Sequence, residues 1–207
     1  AKTIQPLKEA ITQEIKNILS EAKKDKDNDD IEKTLLERNI YFLNGEITSD
    51  SANELIRWLI YHNTDKKIKK ELSIYISSDG GSLIDAFGII DMMYTSPHNV
   101  KTIAVSSACS AAFYILISGT KGHRYSCPLT TLMCHEFSNE INAKYHDIKS
   151  WVKENESIKD RTYNILENAG VDKTLINKKF LLPSDFYMSP QQAFENKVID
   201  HILGRHK

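Results

Sequence analysis

The chain has 207 residues, 41% of them apolar and 27% charged, with a formal net charge of -1 at pH 7. That length fits one principal domain with a substantial core, the near-neutral balance excludes the strongly basic face of a nucleic-acid binder, and no run approaches the ~18 apolar residues that span a bilayer. Three cysteines without a CxxC pair exclude a disulfide framework, and the absence of an apolar signal core near the start predicts a cytoplasmic protein.

In chain order, Leu7, Ile11, Ile15, Ile18 and Leu19 recur at helical spacing, so residues 5–22 read as an amphipathic helix. The charged run from Lys23 to Asp30 reads as a linker, which sets a segment over 1–33 apart from a main domain over 34–207. Ile40 to Leu43 reads as a strand ended by Asn44-Gly45. Ser51 with Glu54 predicts a capping box, followed by the helical stripe Ala52, Leu55, Ile56, Leu59 and Ile60. Leu72 to Ile76 is a buried-type strand. After Gly80-Gly81, a second helix carries Leu83, Ala86, Phe87, Ile90 and Met93 until Ser96-Pro97 breaks it. Val100 to Val105 is a strand rich in β-branched residues, and 110–118 a short apolar helix stopped by Gly119. Tyr125 and Thr131 to Cys134 are strand-like. Residues 143–168 form one long polar helix ending before Gly170, a shorter helix lies near 172–179, Ser189-Pro190 opens a last helix, and Val198 to Leu203 is the final strand. Strands alternating with helices through tight turns predict an α/β domain, whose sites form where strands end and helices begin.

Two such junctions carry chemistry. At the second, Ser110 heads an apolar helix, where unpaired N–H groups favour a developing negative charge; the same position suits a plain N-cap serine. Cys109, Ser106 and Ser107 compete with it as nucleophiles. His135 follows a buried strand, as none of the other six histidines does. Asp185, between Pro183-Ser184 and the apolar Phe186-Tyr187-Met188, is expected to be partly buried and in want of a partner. At the first junction, Gly80-Gly81 lets the backbone approach a substrate closely, so that the Gly81 and Ala111 N–H groups can hold an oxyanion. Together these are the parts of a Ser-His-Asp hydrolase. The spacing of Cys127, Cys134 and His135 matches no zinc pattern, and this chemistry calls for no metal, nucleotide or other cofactor in the chain.

From about Leu35 to Leu203 the chain resembles the ClpP family, the proteolytic subunits of the ATP-dependent Clp protease. The resemblance rests on Glu37-Arg38-Asn39-Ile40-Tyr41-Phe42-Leu43-Asn44-Gly45, Ile76-Ser77-Ser78-Asp79-Gly80-Gly81, Ala108-Cys109-Ser110-Ala111-Ala112, Gly119 to Tyr125, Met133-Cys134-His135, Tyr187 to Ala193, and Val198-Ile199-Asp200. It implies a ClpP/crotonase-like spiral of β-β-α units with a protruding strand-plus-long-helix handle over about 136–168. It also implies Ser110 as nucleophile, His135 as base, Asp185 as third member, and Gly81 and Ala111 at the oxyanion positions. The assembly it implies is a heptameric ring, single or stacked in two, built of this chain alone or with other ClpP-type subunits. An AAA+ unfoldase would feed that ring with unfolded polypeptide.

The chain departs from the family pattern at several points. Asp79 stands where the family has proline; Cys109, Ala111 and Ala112 alter the surroundings of the nucleophile; Glu136-Phe137 follow the histidine; and Pro183-Ser184 replace the charged residues before the aspartate. These changes, with the different N-terminal segment, motivate an alternative in which the chain is a weakly active or inactive subunit co-assembling with active ones. A crotonase-type acyl-CoA enzyme, which shares the fold, would need a second carboxylate near the Ser110 helix, and none is evident in the sequence.

Overall fold

A computed structural model describes residues 30–64, 70–137 and 144–204. The expected helix over 5–22, most of its charged linker and residues 138–143 of the handle lie outside them. The chain divides into two units, Ala1–Ile40 and Tyr41–Lys207. Within the first, residues 30–37 are helical (α1), closing in a turn in which the Arg38 N–H donates to Leu35 O and the Asn39 N–H to Leu36 O.

The second unit is built on a sheet whose strands β1 (Ile40–Asn44), β2 (Glu71–Ser78), β3 (Asn99–Cys109), β4 (Arg124–Ser126) and β7 (His201–Ile202) lie side by side in that order. The β2–β3, β3–β4 and β4–β7 pairs are parallel. From β3 the sheet branches: β5 (Thr131–Cys134) pairs parallel with β3, and β6 (Phe186–Met188) pairs antiparallel with β5. The helices are α2 (Ser49–Thr64), α3 (Leu83–Tyr94), α4 (Ala111–Ile117), the long α5 (Tyr145–Ala169), the short α6 (Lys173–Leu175) running into a π-turn at Ile176–Phe180, and α7 (Pro190–Glu195). This mixed α/β architecture of mostly parallel strands is the fold class expected from the sequence.

Sequence explains most of these elements. In β2, Leu72, Ile74, Ile76 and Ser78 are buried in strict alternation, while α4 buries all seven of its residues. Ser189 and Gln192 form the capping box of α7 with Pro190 in its first turn. Gly170, at φ 97°, caps α5 in the left-handed region.

Several expectations need correction. The box at the start of α2 lies one turn earlier: the Thr48 N–H donates to Ser51 Oγ (3.0 Å) and the Ser51 N–H to Thr48 Oγ1 (3.3 Å), so Thr48 caps and Ser51 answers. Strand β3 does not stop at Val105. A register shift against β2 between Ile76 and Ser78, with Ser106 at φ 64°, forms a bulge that carries the strand on to Cys109. The final strand is only His201–Ile202, because buried Val198 and Ile199 precede it in a turn whose N–H groups bond back to Ala193 O.

Candidate active site

Ser110 is the only residue between β3 and α4, and it sits at φ 53° and ψ -122°. Such a conformation for a non-glycine residue costs on the order of 1–3 kcal/mol and persists only where its surroundings over-determine it. Here they do: the Ser110 N–H donates to Met133 O (2.9 Å), and its carbonyl accepts from the Phe113 N–H (3.1 Å). Its hydroxyl makes no helix cap. Ser110 Oγ lies instead 2.8 Å from His135 Nε2. The plain N-cap reading of this serine is thereby set aside.

Strand register explains why these distant residues meet. β3 and β5 pair Cys109 with Met133, so Ser110 and His135 emerge from the same ends of adjacent parallel strands. β5 and β6 pair Leu132 with Met188, Met133 with Tyr187 and Cys134 with Phe186; one step further sets Asp185 opposite His135. Asp185 Oδ1 lies 3.7 Å from His135 Nδ1, an ion-pair contact longer than a hydrogen bond. The Asp185 side chain is 48% exposed against 24% for His135, so the expected burial of the carboxylate is only half realised.

The Gly80-Gly81 turn closes the other side. Ile47 bridges to Gly81 in parallel register: the Ile47 N–H donates to Gly80 O and the Ser82 N–H to Ile47 O, both at 2.8 Å. In that geometry the N–H of Gly81 itself points away from Ile47. No hydrogen bond from the Gly81 or the Ala111 N–H occurs among the described residues. A Cβ on Gly80 would stand 2.7 Å from Ser110 Cβ and 3.2 Å from Ala111 N, so the turn abuts the start of α4 directly. A Cβ on Gly81 would stand 2.3 Å from Ile47 O. Ile47, which fixes this turn, carries no sign of that role in the sequence.

A cavity of about 220 Å³ opens beside these groups. Gly81, Ser110 and His135 form one wall, and Leu83, Ile84, Tyr114, Phe137 and Ile158 a largely apolar remainder. The competing nucleophiles are less favoured. Burial, followed by the charge of Asp79, pushes the Cys109 thiol up, and its Sγ faces Thr131 O at 3.9 Å. Ser106 and Ser107 line a separate cavity on the far side of Gly81. Three of the other described histidines are engaged elsewhere: His98 Nε2 with His62 O (2.9 Å), His123 Nδ1 with Glu71 (3.0 Å) and His201 Nε2 with Gly122 O (3.1 Å). Among the described residues no three His, Cys, Asp or Glu side chains gather as a metal site would require, and no helix is long and apolar enough to cross a membrane.

A family model described as Clp protease matches residues 22–206. The chain belongs to the Clp protease family. Over 177 residues it is 34% identical to ATP-dependent Clp protease proteolytic subunit 1 of Prochlorococcus marinus subsp. pastoris, covering 85% of this chain and 89% of that protein. Proteolytic subunit 2 of Parasynechococcus marenigrum is 32% identical with 85% and 88% covered, and proteolytic subunit 1 of Rhodopirellula baltica 32% identical with 82% and 74% covered. Membership of the Clp protease family implies a hydrolase of the serine-peptidase kind, and the resemblance noted from the motifs is this same family.

Proposed function

We propose that this chain is the serine endopeptidase subunit of a Clp-type compartmentalised protease. Ser110 Oγ attacks a peptide carbonyl carbon while His135 Nε2 takes its proton. The carbonyl electron pair moves onto oxygen, and the Gly81 and Ala111 N–H groups hold that oxyanion. Collapse expels the amine, which leaves with the proton from His135. Water, deprotonated by the same imidazole, then releases the acyl group from Ser110. Asp185 holds the imidazole tautomer and balances its charge. The apolar cavity beside Ser110 receives a substrate side chain. The observation that carries this reading is the 2.8 Å contact between Ser110 Oγ and His135 Nε2 on a serine that makes no cap. The family supports the rest: a heptameric ring, one or two stacked, of this chain or with sister subunits, fed with unfolded polypeptide by an AAA+ unfoldase in the cytoplasm.

A second reading, a weakly active or inactive subunit that co-assembles with active ones, draws on the 3.7 Å separation of His135 and Asp185 and on Asp79 beside the glycine turn. A fluorophosphonate probe separates the two. Labelling of the wild type that disappears in S110A supports the peptidase; absence of labelling, alone and with an unfoldase, supports the second reading.

A further inference from the structure

Asp185 is an unusual third member for the site proposed above. In a serine-protease triad of the chymotrypsin type that carboxylate is buried, whereas here it is half exposed. Among the described residues only two groups reach it: His135 Nδ1, 3.7 Å from Oδ1, and the Tyr187 hydroxyl, which donates to Oδ2 at 3.4 Å. We propose that Tyr187 is a positioning residue of this site, holding the outer oxygen of Asp185 so that the inner oxygen faces His135. The inference rests on the peptidase reading of Ser110, His135 and Asp185.

The strand makes the tyrosine a fixed post. Tyr187 pairs with Met133 in the β5–β6 ladder, so its backbone is tied two residues from Asp185. Residues two apart on a strand share a face. Asp185 and Tyr187 therefore look the same way, while the intervening Phe186 turns inward to meet Phe180 at a ring separation of 5.3 Å. The charge of Asp185, followed by slight desolvation and the hydrogen bond itself, pushes the phenol of the exposed Tyr187 up. Asp79 and the Cys109 side chain also face it and act in the same direction. The phenol thus stays a proton donor throughout the range in which a histidine base works. It is absent from the walls of the substrate cavity, and its hydrogen bond to the site is the one to Asp185.

Two readouts on the full chain test this: the rate of Ser110 labelling by a fluorophosphonate, and kcat and KM on a fluorogenic peptide. Y187F is expected to lower kcat and the labelling rate about fivefold, the scale of one exposed charge-assisted hydrogen bond, with KM within about twofold and melting temperature unchanged. Y187L, which removes the ring as well, is expected to lose no more than Y187F. In a D185A background Y187F is expected to change nothing further, because the carboxylate it holds is gone. Wild-type rates in Y187F, or an equal loss in the D185A background, would overturn the proposal. A wild type that never labels at Ser110 overturns the peptidase reading, and with it any role for Tyr187 in positioning.

Discussion

Asp185 Oδ1 stops 3.7 Å from His135 Nδ1, although Nε2 of the same ring lies at 2.8 Å from Ser110 Oγ. The nucleophile–base half of the site is closed and the base–carboxylate half is loose. An exposed carboxylate at that distance stabilises an imidazolium less than a buried, bonded one, since water screens the pair. D185A is accordingly expected to lower kcat about 10²-fold, against about 10⁴ for replacing the aspartate by asparagine in a chymotrypsin-type triad. S110A should abolish turnover. Peptide hydrolysis by the two variants checks this; equal losses would show that Asp185 closes on His135 when substrate binds.

Neither glycine of the turn has room for a methyl. A methyl on Gly81 would meet Ile47 O at 2.3 Å, backbone against backbone, at φ 141°. G81A is therefore expected to destabilise the fold by more than about 2 kcal/mol, because neither partner can give way. A methyl on Gly80 would meet Ser110 Cβ at 2.7 Å. Ser110 Cβ is held by its backbone, and the same methyl would meet Cys109 O at 2.9 Å with Gly80 at φ 112°, so G80A is expected to lose stability as well, and its clash, falling on Ser110, should remove fluorophosphonate labelling of that serine. Thermal melts and labelling of each variant check this, and a G80A protein that labels normally would show that the turn does not bear on the serine.

How far the site can be read from sequence follows from the same geometry. Ser110 is legible because it heads an apolar helix and His135 because it ends an apolar strand, both local signals, while the choice of Ser110 over Cys109 needed the family resemblance. The half-exposure of Asp185 is not. The apolar Phe186-Tyr187-Met188 suggests an interior, yet in a strand only Phe186 and Met188 turn inward and Asp185 goes with Tyr187 to the other face. β6 itself, three residues long, is too short for a periodicity to declare it. Ile47 is invisible for another reason: its bond to the Gly81 turn spans a whole helix and strand, and nothing in its neighbours marks it. Ser106-Ser107 hid the end of β3, because a bulge tolerates polar residues that a regular buried strand excludes.

Asp79 supplies a third expectation. It directly precedes Gly80, which abuts Ser110, and it contributes the largest charge effect on the Cys109 thiol, pushing it up. A fixed negative charge that opposes ionisation at Cys109 also opposes the oxyanion forming at the neighbouring Ala111 N–H. D79N is expected to raise kcat/KM about two- to fivefold at low ionic strength, and the gain should shrink in ~0.5 M salt as an exposed charge is screened. A peptide assay at two salt concentrations decides it; an unchanged or lower rate at low salt would remove Asp79 from the electrostatics of the site.

The last expectation concerns the fold beneath the site. Arg124 is buried, at 2% exposure, and clasps Asp200 with Nε to Oδ2 at 2.8 Å and Nη2 to Oδ1 at 2.7 Å, while Nη1 donates to Ala169 O at 2.9 Å. One cluster thus joins β4, the end of α5 and the approach to β7. Burial alone would push the Asp200 carboxyl up, but the hydrogen bonds and charge of Arg124, with the Gly122 N–H, outweigh it and hold the group below the usual carboxylate range. A carboxyl lowered on folding contributes stability in full above its unfolded value near ~3.9 and loses it as pH falls through the lower, folded value. D200N leaves the guanidinium buried without its counter-charge and is expected to cost about 3 kcal/mol at pH 7. Its deficit relative to wild type should narrow as pH falls below about 4, where the unfolded wild-type chain takes up a proton at Asp200, and should level off once the native carboxyl is protonated at its lower value. Urea unfolding at pH 7 and pH 3 measures both quantities, and a deficit that stays constant across that range would mean that Asp200 acts through packing rather than through charge.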